Sequence, residues 1–246
     1  MLCSMVFASA QTVIFQEDWT DMADWTIVTP SQSNRYSLDS TVLPGKNVLK
    51  TDFLTGDNFL SYIRVTSPQV IDLAAGIEYT VTFRRVADVQ YFRMGLVAGD
   101  NWSSNQFYYH DFARTSVTLS KIGTGNAVTR LYATSPALPN PLDEFVTYTM
   151  QLKEGVNEAS TPGLYFRLFH DGILAAEWFD SNPFSFTSGE NNTVIPFIGF
   201  RPQNTGSVLG GTYAYVSDVT LTQIPEPSTL LLWGLGATVL AFRKRF

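Results

Sequence analysis

The feature that most restricts how this 246-residue chain can fold is the period of its apolar residues, which is two along most of the sequence and almost nowhere 3.6. Tyr79, Val81 and Phe83 alternate with Thr80, Thr82 and Arg84, and Val146, Tyr148, Met150 and Leu152 alternate with Thr147, Thr149 and Gln151. Successive side chains of a strand point to opposite faces, so this pattern puts one face in a core and the other towards water, as in antiparallel sheets. Further strands are predicted over 13–17, 48–51, 61–65, 91–97, 107–110, 117–122, 127–132, 164–170, 173–179, 194–200 and 212–222. Turn residues separate them at Pro44-Gly45, Gly56-Asp57-Asn58, Gly99-Asp100-Asn101, Gly123-Thr124-Gly125, Pro162-Gly163 and Gly210-Gly211. Many short strands with no helices between them predict an all-β fold, an antiparallel sandwich filling one domain over 11–223.

Asp171-Gly172 supports the positive φ angles of a two-residue hairpin turn and joins 164–170 to 173–179. Ile198-Gly199-Phe200 and a closing strand with Tyr215-Val216-Ser217-Asp218-Val219 follow. This succession resembles the second half of concanavalin-A-like jelly rolls, and the resemblance implies a jelly-roll β-sandwich. Some related sandwiches hold a structural calcium through an Asp two residues before the Val of the last strand. Ser217 stands there in this chain, and Asp218 follows it on the other face, so no metal site is predicted.

The last 23 residues follow a different logic. Pro225-Glu226-Pro227 is stiff and extended, because each proline fixes φ and restricts the residue before it. An uncharged apolar run over 228–242 follows, long enough for a helix of about 22 Å. Arg243, Lys244 and Arg245 close it; they can snorkel to headgroups, and they place that end in the cytoplasm by the positive-inside rule. A single C-terminal transmembrane helix is predicted, with everything before Pro225 on the opposite side. The order of the three zones resembles the PEP-CTERM sorting signal of bacterial surface proteins. The resemblance implies that Pro225, Glu226 and Pro227 are the sorting motif, 228–242 a transient anchor, and Arg243 to Arg245 the membrane stop. It also implies as partners the membrane, an exosortase-like cysteine transpeptidase that cuts near the motif, and an exopolysaccharide. The implied location is the cell surface or the extracellular space.

At the other end, residues 1–10 are apolar and close with Ala8-Ser9-Ala10, a small-residue cleavage pattern. A signal peptide over 1–10, shortened at its basic end, would be cut between Ala10 and Gln11. Cys3, the single cysteine, would leave with it, so the mature chain is predicted to have no disulfide and no thiol nucleophile. Between Gln11 and Ile224 there are 13 Lys and Arg against 21 Asp and Glu, which argues against nucleic acid as a partner.

Sandwiches of this type include glycoside hydrolases, which need two carboxylates across the scissile bond. The Glu-x-Asp-x-x-Glu strand pattern of the laminarinase-like branch is absent. Of the acidic clusters, Glu17-Asp18-x-x-Asp21-x-x-Asp24 reads as solvated and Glu177-x-x-Asp180 as a strand end. Neither His110 nor His170 has a nucleophile elbow or a second metal-ligating partner in sequence; His170 reads as a lead into the hairpin turn and His110 as a residue on a strand face. No catalytic residue, metal ligand or cofactor is predicted. The sandwich reads as structural or glycan-binding, and of chemical functions binding is the more economical, because sugars are held by aromatic faces with nearby polar groups. Trp102, Tyr108, Tyr109 and Trp178 are the candidate glycan contacts, with Tyr108 and Tyr109 on opposite faces of one strand. The competing expectation is a secreted carbohydrate-active enzyme, a hydrolase or lyase on the same fold.

Overall fold

A computed structural model of the chain describes residues 11–28, 30–53, 60–85, 91–104, 106–113, 116–123, 128–133, 144–201 and 211–225. Among these described residues seventeen strands run in chain order as β1 (Thr12–Glu17), β2 (Trp25–Ile27), β3 (Tyr36–Leu43), β4 (Lys46–Phe53), β5 (Ser61–Val65), β6 (Gln69–Ile71), β7 (Ile77–Arg85), β8 (Tyr91–Ala98), β9 (Phe107–Ala113), β10 (Val117–Ile122), β11 (Val128–Ala133), β12 (Val146–Val156), β13 (Pro162–His170), β14 (Ile173–Asp180), β15 (Thr187–Ser188), β16 (Asn191–Arg201) and β17 (Gly211–Gln223). One sheet has the order β14-β13-β12-β7-β17-β4-β3, with β1 also paired to β17. The other has the order β11-β10-β9-β8-β16-β5-β2, with β6 and β15 also on β16. Sequence neighbours are often far apart in the sheets, as expected of a jelly roll.

The alternation read from sequence is the alternation of burial. Tyr79, Val81 and Phe83 are fully buried, as are Met150 and Leu152, while the threonines between them are half-exposed. Those threonines pair across strands, Thr80 with Thr149 and Thr82 with Thr147, each at 2.9 Å between hydroxyl oxygens. Rings from the two sheets meet in the core: Phe83 stacks on Phe92 at 3.6 Å between centroids, and Phe112 lies 4.3 Å from Tyr148. The hairpin turn is as predicted, with φ of 46° at Asp171 and 78° at Gly172.

Strands β2, β3, β6 and β15 carry no clear apolar alternation, because they are very short or, like β3, interrupted by a polar run and largely open to solvent. Pro162 and Gly163 belong to β13; the turn lies just before them, where Asn157 N donates to Thr161 O. Pro196 is inside a long strand, yet the neighbour of β16 on one side changes from β6 to β5 at 195–196, which is where a residue without an amide donor fits. A bulge between Val216 and Asp218 buries Ser217, so Val216 and Val219 both face the core although they are three apart. Asp218 pairs with Lys46.

Glu17 corrects an expectation. It is buried, not solvated, and its carboxylate accepts from Trp19 N at 2.5 Å and from Trp25 Nε1 at 2.6 Å. Trp19, at φ 57°, stacks on Trp25 at 5.4 Å, so the acid organises the opening turn. Burial raises the Glu17 pKa, and the two N–H donors counter it. Asp18 and Asp21 behave as read, each accepting from the backbone two residues on.

Among the described residues no helix is long and apolar enough to cross a membrane. The predicted span over 228–242 and the signal segment over 1–10 lie outside the described residues.

Candidate functional site

The nine-stranded sheet has a core face and an outer face, and the outer face carries its own apolar cluster. Val97, Tyr109, Ile195 and Phe197 are buried there, with Tyr62, Trp102, Phe107 and Ile122 packed against them. The registers of β5, β16, β8, β9, β10 and β11 build this surface in rows. One row runs Arg64, Phe197, Gly95, Tyr109, Ser120, Arg130, and the next runs Tyr62, Gly199, Arg93, Asp111, Thr118.

Two strand-interior glycines decide how the rings lie. A β-carbon on Gly95 would stand 2.5 Å from Phe197 Cζ, and one on Gly199 would stand 2.5 Å from Tyr62 Cδ1. The rings therefore lie over bare backbone where side chains would have lifted them. Tyr62 meets Phe197 at 5.5 Å and Trp102 at 5.9 Å; Trp102 meets Phe107 at 4.9 Å and Phe197 at 5.5 Å, all edge to face. Trp102, on a 3-10 turn over Trp102–Ser104, thus roofs one end of the cluster, with the Arg64 guanidinium 6.0 Å from its ring.

Beside the rings is a polar network. Arg93 grips Asp111 through Nε and Nη2, the latter at 3.0 Å from Oδ2, and donates from Nη1 to the Tyr62 hydroxyl at 2.5 Å. The same guanidinium lies 4.4 Å from the centre of the Tyr109 ring. Burial works against the Arg93 charge, but Asp111 and the tyrosines outweigh it and hold the group cationic. Burial pushes the Tyr62 phenol up to about 12 despite Arg93, and raises Tyr109 for the same reason, so both hydroxyls keep their protons at neutral pH.

Charge is divided between the sheets. The strands of the nine-stranded sheet contain Arg64, Arg93, Lys121, Arg130 and Arg201 against the single acid Asp111. Those of the other sheet contain six cations against eight acids. A glycosidase needs two carboxylates about 5 to 9.5 Å apart; among the described strands this face offers Asp111 alone, already bound to Arg93. No group of three or more His, Cys, Asp and Glu among the described residues could hold a metal ion.

The predicted contact residues separate. Trp102 and Tyr109 share the outer face, but only Trp102 is half-open; Tyr109 is buried beneath Arg93. Tyr108 does point the opposite way, but into the inter-sheet core, where it is fully buried; its hydroxyl donates to Asp180 Oδ2 at 2.9 Å and accepts from Phe184 N at 2.8 Å. That removes it from the contact set. Trp178 is 41% exposed on β14, the edge of the other sheet, and does not join the cluster. His110 is on a strand face as read, the face that points into the core. Tyr62, Arg93 and Phe197 were missed by sequence reasoning, although Gly95 and Gly199 inside strands were a readable sign of close approach to the backbone. A cleft of about 530 Å³ lies elsewhere, between the start of β13 and residues 181–187. Phe184, Phe186 and Glu154 line it, but no arginine, tryptophan or tyrosine is among its described lining residues, so the face is the better candidate.

At the end of the sandwich where β17 leaves, Gln223 is clamped. Its Oε1 accepts from Asp72 N at 2.9 Å, and its Nε2 donates to Asp72 O at 2.7 Å and to Gly76 O at 2.5 Å. Ile224 N donates to Gly76 O at 2.8 Å. Pro225 is half-buried; Glu226, Pro227, Arg243, Lys244 and Arg245 lie outside the described residues, as do Ala8 and Ala10. Gln11 is exposed and reaches Glu78.

Comparison with known proteins bears on the fold of the sandwich and on the tail. Residues 223–245 match the PEP-CTERM protein-sorting motif. No curated protein sequence matches the chain. Among solved structures the fold is similar to the endo-1,3-β-glucanase of Streptomyces sioyaensis, with TM-score 0.61 and 14% identity over 87% of this chain and 97% of that one. It is similar to the endo-β-1,4-glucuronan lyase of the fungus Trichoderma reesei, with TM-score 0.60 and 12% identity over 85% and 95%. Peanut lectin has TM-score 0.50 and 10% identity over 87% and 97%. The domain is an all-β antiparallel sandwich of the lectin-type jelly-roll kind, and the chain carries a signal for export and cell-surface sorting.

Proposed function

We propose that this chain, a lectin-type jelly roll carrying a PEP-CTERM sorting motif, is a surface or matrix protein whose sandwich contacts a glycan through the outer face of the nine-stranded sheet. After export its tail holds it at the membrane as a single-pass anchor until an exosortase-like transpeptidase cuts near Pro225, Glu226 and Pro227. The observation that carries the glycan reading is the half-buried set of Tyr62, Trp102 and Phe107, seated on the buried Phe197 beside the Arg93–Asp111 pair. Rings offer apolar faces for stacking on sugars, and the adjacent phenols and guanidinium offer directed hydrogen bonds.

The charge division adds a class. Arg64, Arg93 and Arg130 share the outer face with one carboxylate, in a chain whose net charge is −6. Acidic polysaccharides, bearing uronate or other anionic groups, fit such a face better than neutral ones. The names of structural relatives, a glucanase, a glucuronan lyase and a lectin, are in keeping with a carbohydrate partner. The competing reading, a carbohydrate-active enzyme, needs paired carboxylates or a phenol that gives up its proton, and the face favours binding on both counts.

A glycan array probed with the released, processed protein tests the proposal. Binding to acidic polymers that falls with added salt and is lost in Trp102→Ala supports it. Binding that is unchanged in Trp102→Ala, or confined to neutral glycans, overturns the site or the class respectively. For sorting, Pro225, Glu226 and Pro227 are replaced together by alanine and the protein is followed by fractionation. Trimming and release like wild type would sink the motif assignment.

A further inference from the structure

We infer that the bond cut during sorting lies on the C-terminal side of Pro225, so that the processed protein keeps β17 whole. This rests on the sorting reading above and adds the modification site. A protease or transpeptidase cleft takes its substrate as an extended segment and hydrogen-bonds to its backbone, which must be open along an edge. Residues 219–223 have no open edge. They are paired on one side with β1, from Glu17↔Val219 to Thr12↔Gln223, and on the other with β7, from Val81↔Val219 to Ile77↔Gln223.

The end of the strand is held as firmly as its middle. The Gln223 amide is saturated by Asp72 and Gly76, and Ile224 N is bonded to Gly76 O. Gly76 has a φ of 97°, and a β-carbon there would stand 3.0 Å from Ile224 Cδ1, so Ile224 packs directly on that turn. Hydrogen bonds to the domain therefore continue through Ile224. Pro225, which has no amide hydrogen to donate, is the first residue at which the chain can part from the fold. Cutting before it would require the enzyme to strip β17 from two neighbours at once.

The chemistry at the cut balances with a cysteine enzyme and an acceptor of known class. The thiol sulfur takes the carbonyl carbon of the scissile peptide, and the tail leaves as an amine that carries the thiol proton. Water or an acceptor amine then displaces the sulfur, giving a carboxylate or a new amide and restoring the thiol.

The test uses the full chain expressed with its processing enzyme. Mass spectrometry of the released protein is expected to find a C-terminal residue at 225 or later. A second variant inserts a six-residue Gly-Ser spacer between Ile224 and Pro225, which leaves the Gln223 clamp intact and frees the residues just before the motif. If recognition begins at Pro225, processing stays within two-fold of wild type. A C-terminus at 221–224, or a spacer that speeds processing ten-fold or more, overturns the inference while leaving the sorting assignment standing. Release with the entire tail attached overturns both.

Discussion

The Tyr62 ring lies over Gly199 so closely that a β-carbon on the glycine would stand 2.5 Å from Tyr62 Cδ1, and the same tyrosine accepts a hydrogen bond from Arg93 at its far end. One missing side chain thus sets both the tilt of a ring and the position of a guanidinium.

Gly199→Ala is expected to lift Tyr62, break its bond to Arg93 and weaken glycan binding ten-fold or more. Overpacking of this kind costs about 1–3 kcal/mol, so the variant should remain folded. Calorimetric titration alongside a thermal melt checks both expectations; full affinity in a folded variant would show that the ring position does not matter.

Lys121 and Asp180 tie the two sheets together at one edge. The lysine Nζ lies 2.8 Å from Asp180 Oδ2, the lysine is bonded also to Asn182 O, and the Asp180 side chain is 6% exposed. Asp180→Ala leaves a shielded cation unpaired and also strips the Tyr108 hydroxyl of its acceptor. A loss of about 3 kcal/mol is expected, read from urea unfolding. A loss under about 1 kcal/mol would mean that the pair is solvated.

His110 predicts a particular acid sensitivity. It is buried, its Nδ1 has no partner among the described residues, and burial pushes its pKa down from 6.5 to about 3. The unfolded chain takes the proton near 6.5 and the folded chain does not, so stability falls as pH drops from 6.5 towards 3, by at most about 1.4 kcal/mol per pH unit. His110→Leu should lose less stability than wild type between pH 7 and 5, by denaturant midpoints. Equal losses would assign the acid sensitivity to carboxylates.

Glu17→Ala removes the acceptor of both Trp19 N and Trp25 Nε1. Two donors left without partners cost about 2 kcal/mol or more, and the stacked pair of Trp19 and Trp25 should loosen. Near-ultraviolet circular dichroism and a denaturant titration report the two effects. Glu17→Gln, which keeps one acceptor oxygen, should recover part of the stability.

Much of the fold was legible because the side-chain period of a strand is local. Tyr79 to Phe83 and Val146 to Leu152 announce their faces without any knowledge of their partners, and Asp171-Gly172 announces its turn. Strand β3 was silent because its pairing with β4, not its own apolar pattern, makes it a strand. The bulge at Ser217 shifted two valines onto one face, which alternation alone misplaces.

The candidate face was legible only in fragments. Aromatic residues in a strand look the same in sequence whether they enter the core, as Tyr108 does, or the outer cluster, as Tyr109 does next to it. Arg93 and Asp111 are 18 residues apart and meet because β8 and β9 pair in one register.

What the sequence determined by itself was whatever depends on local order: the alternation that makes a sandwich, the hairpin turn, and the Pro-Glu-Pro, apolar and basic zones that make a sorting signal. Tertiary structure decided which face holds the rings, which acids are buried and where the tail leaves the fold. Those outcomes depend on registers between strands distant in sequence, and a register is fixed by the packing of a whole core, to which no single segment holds the key.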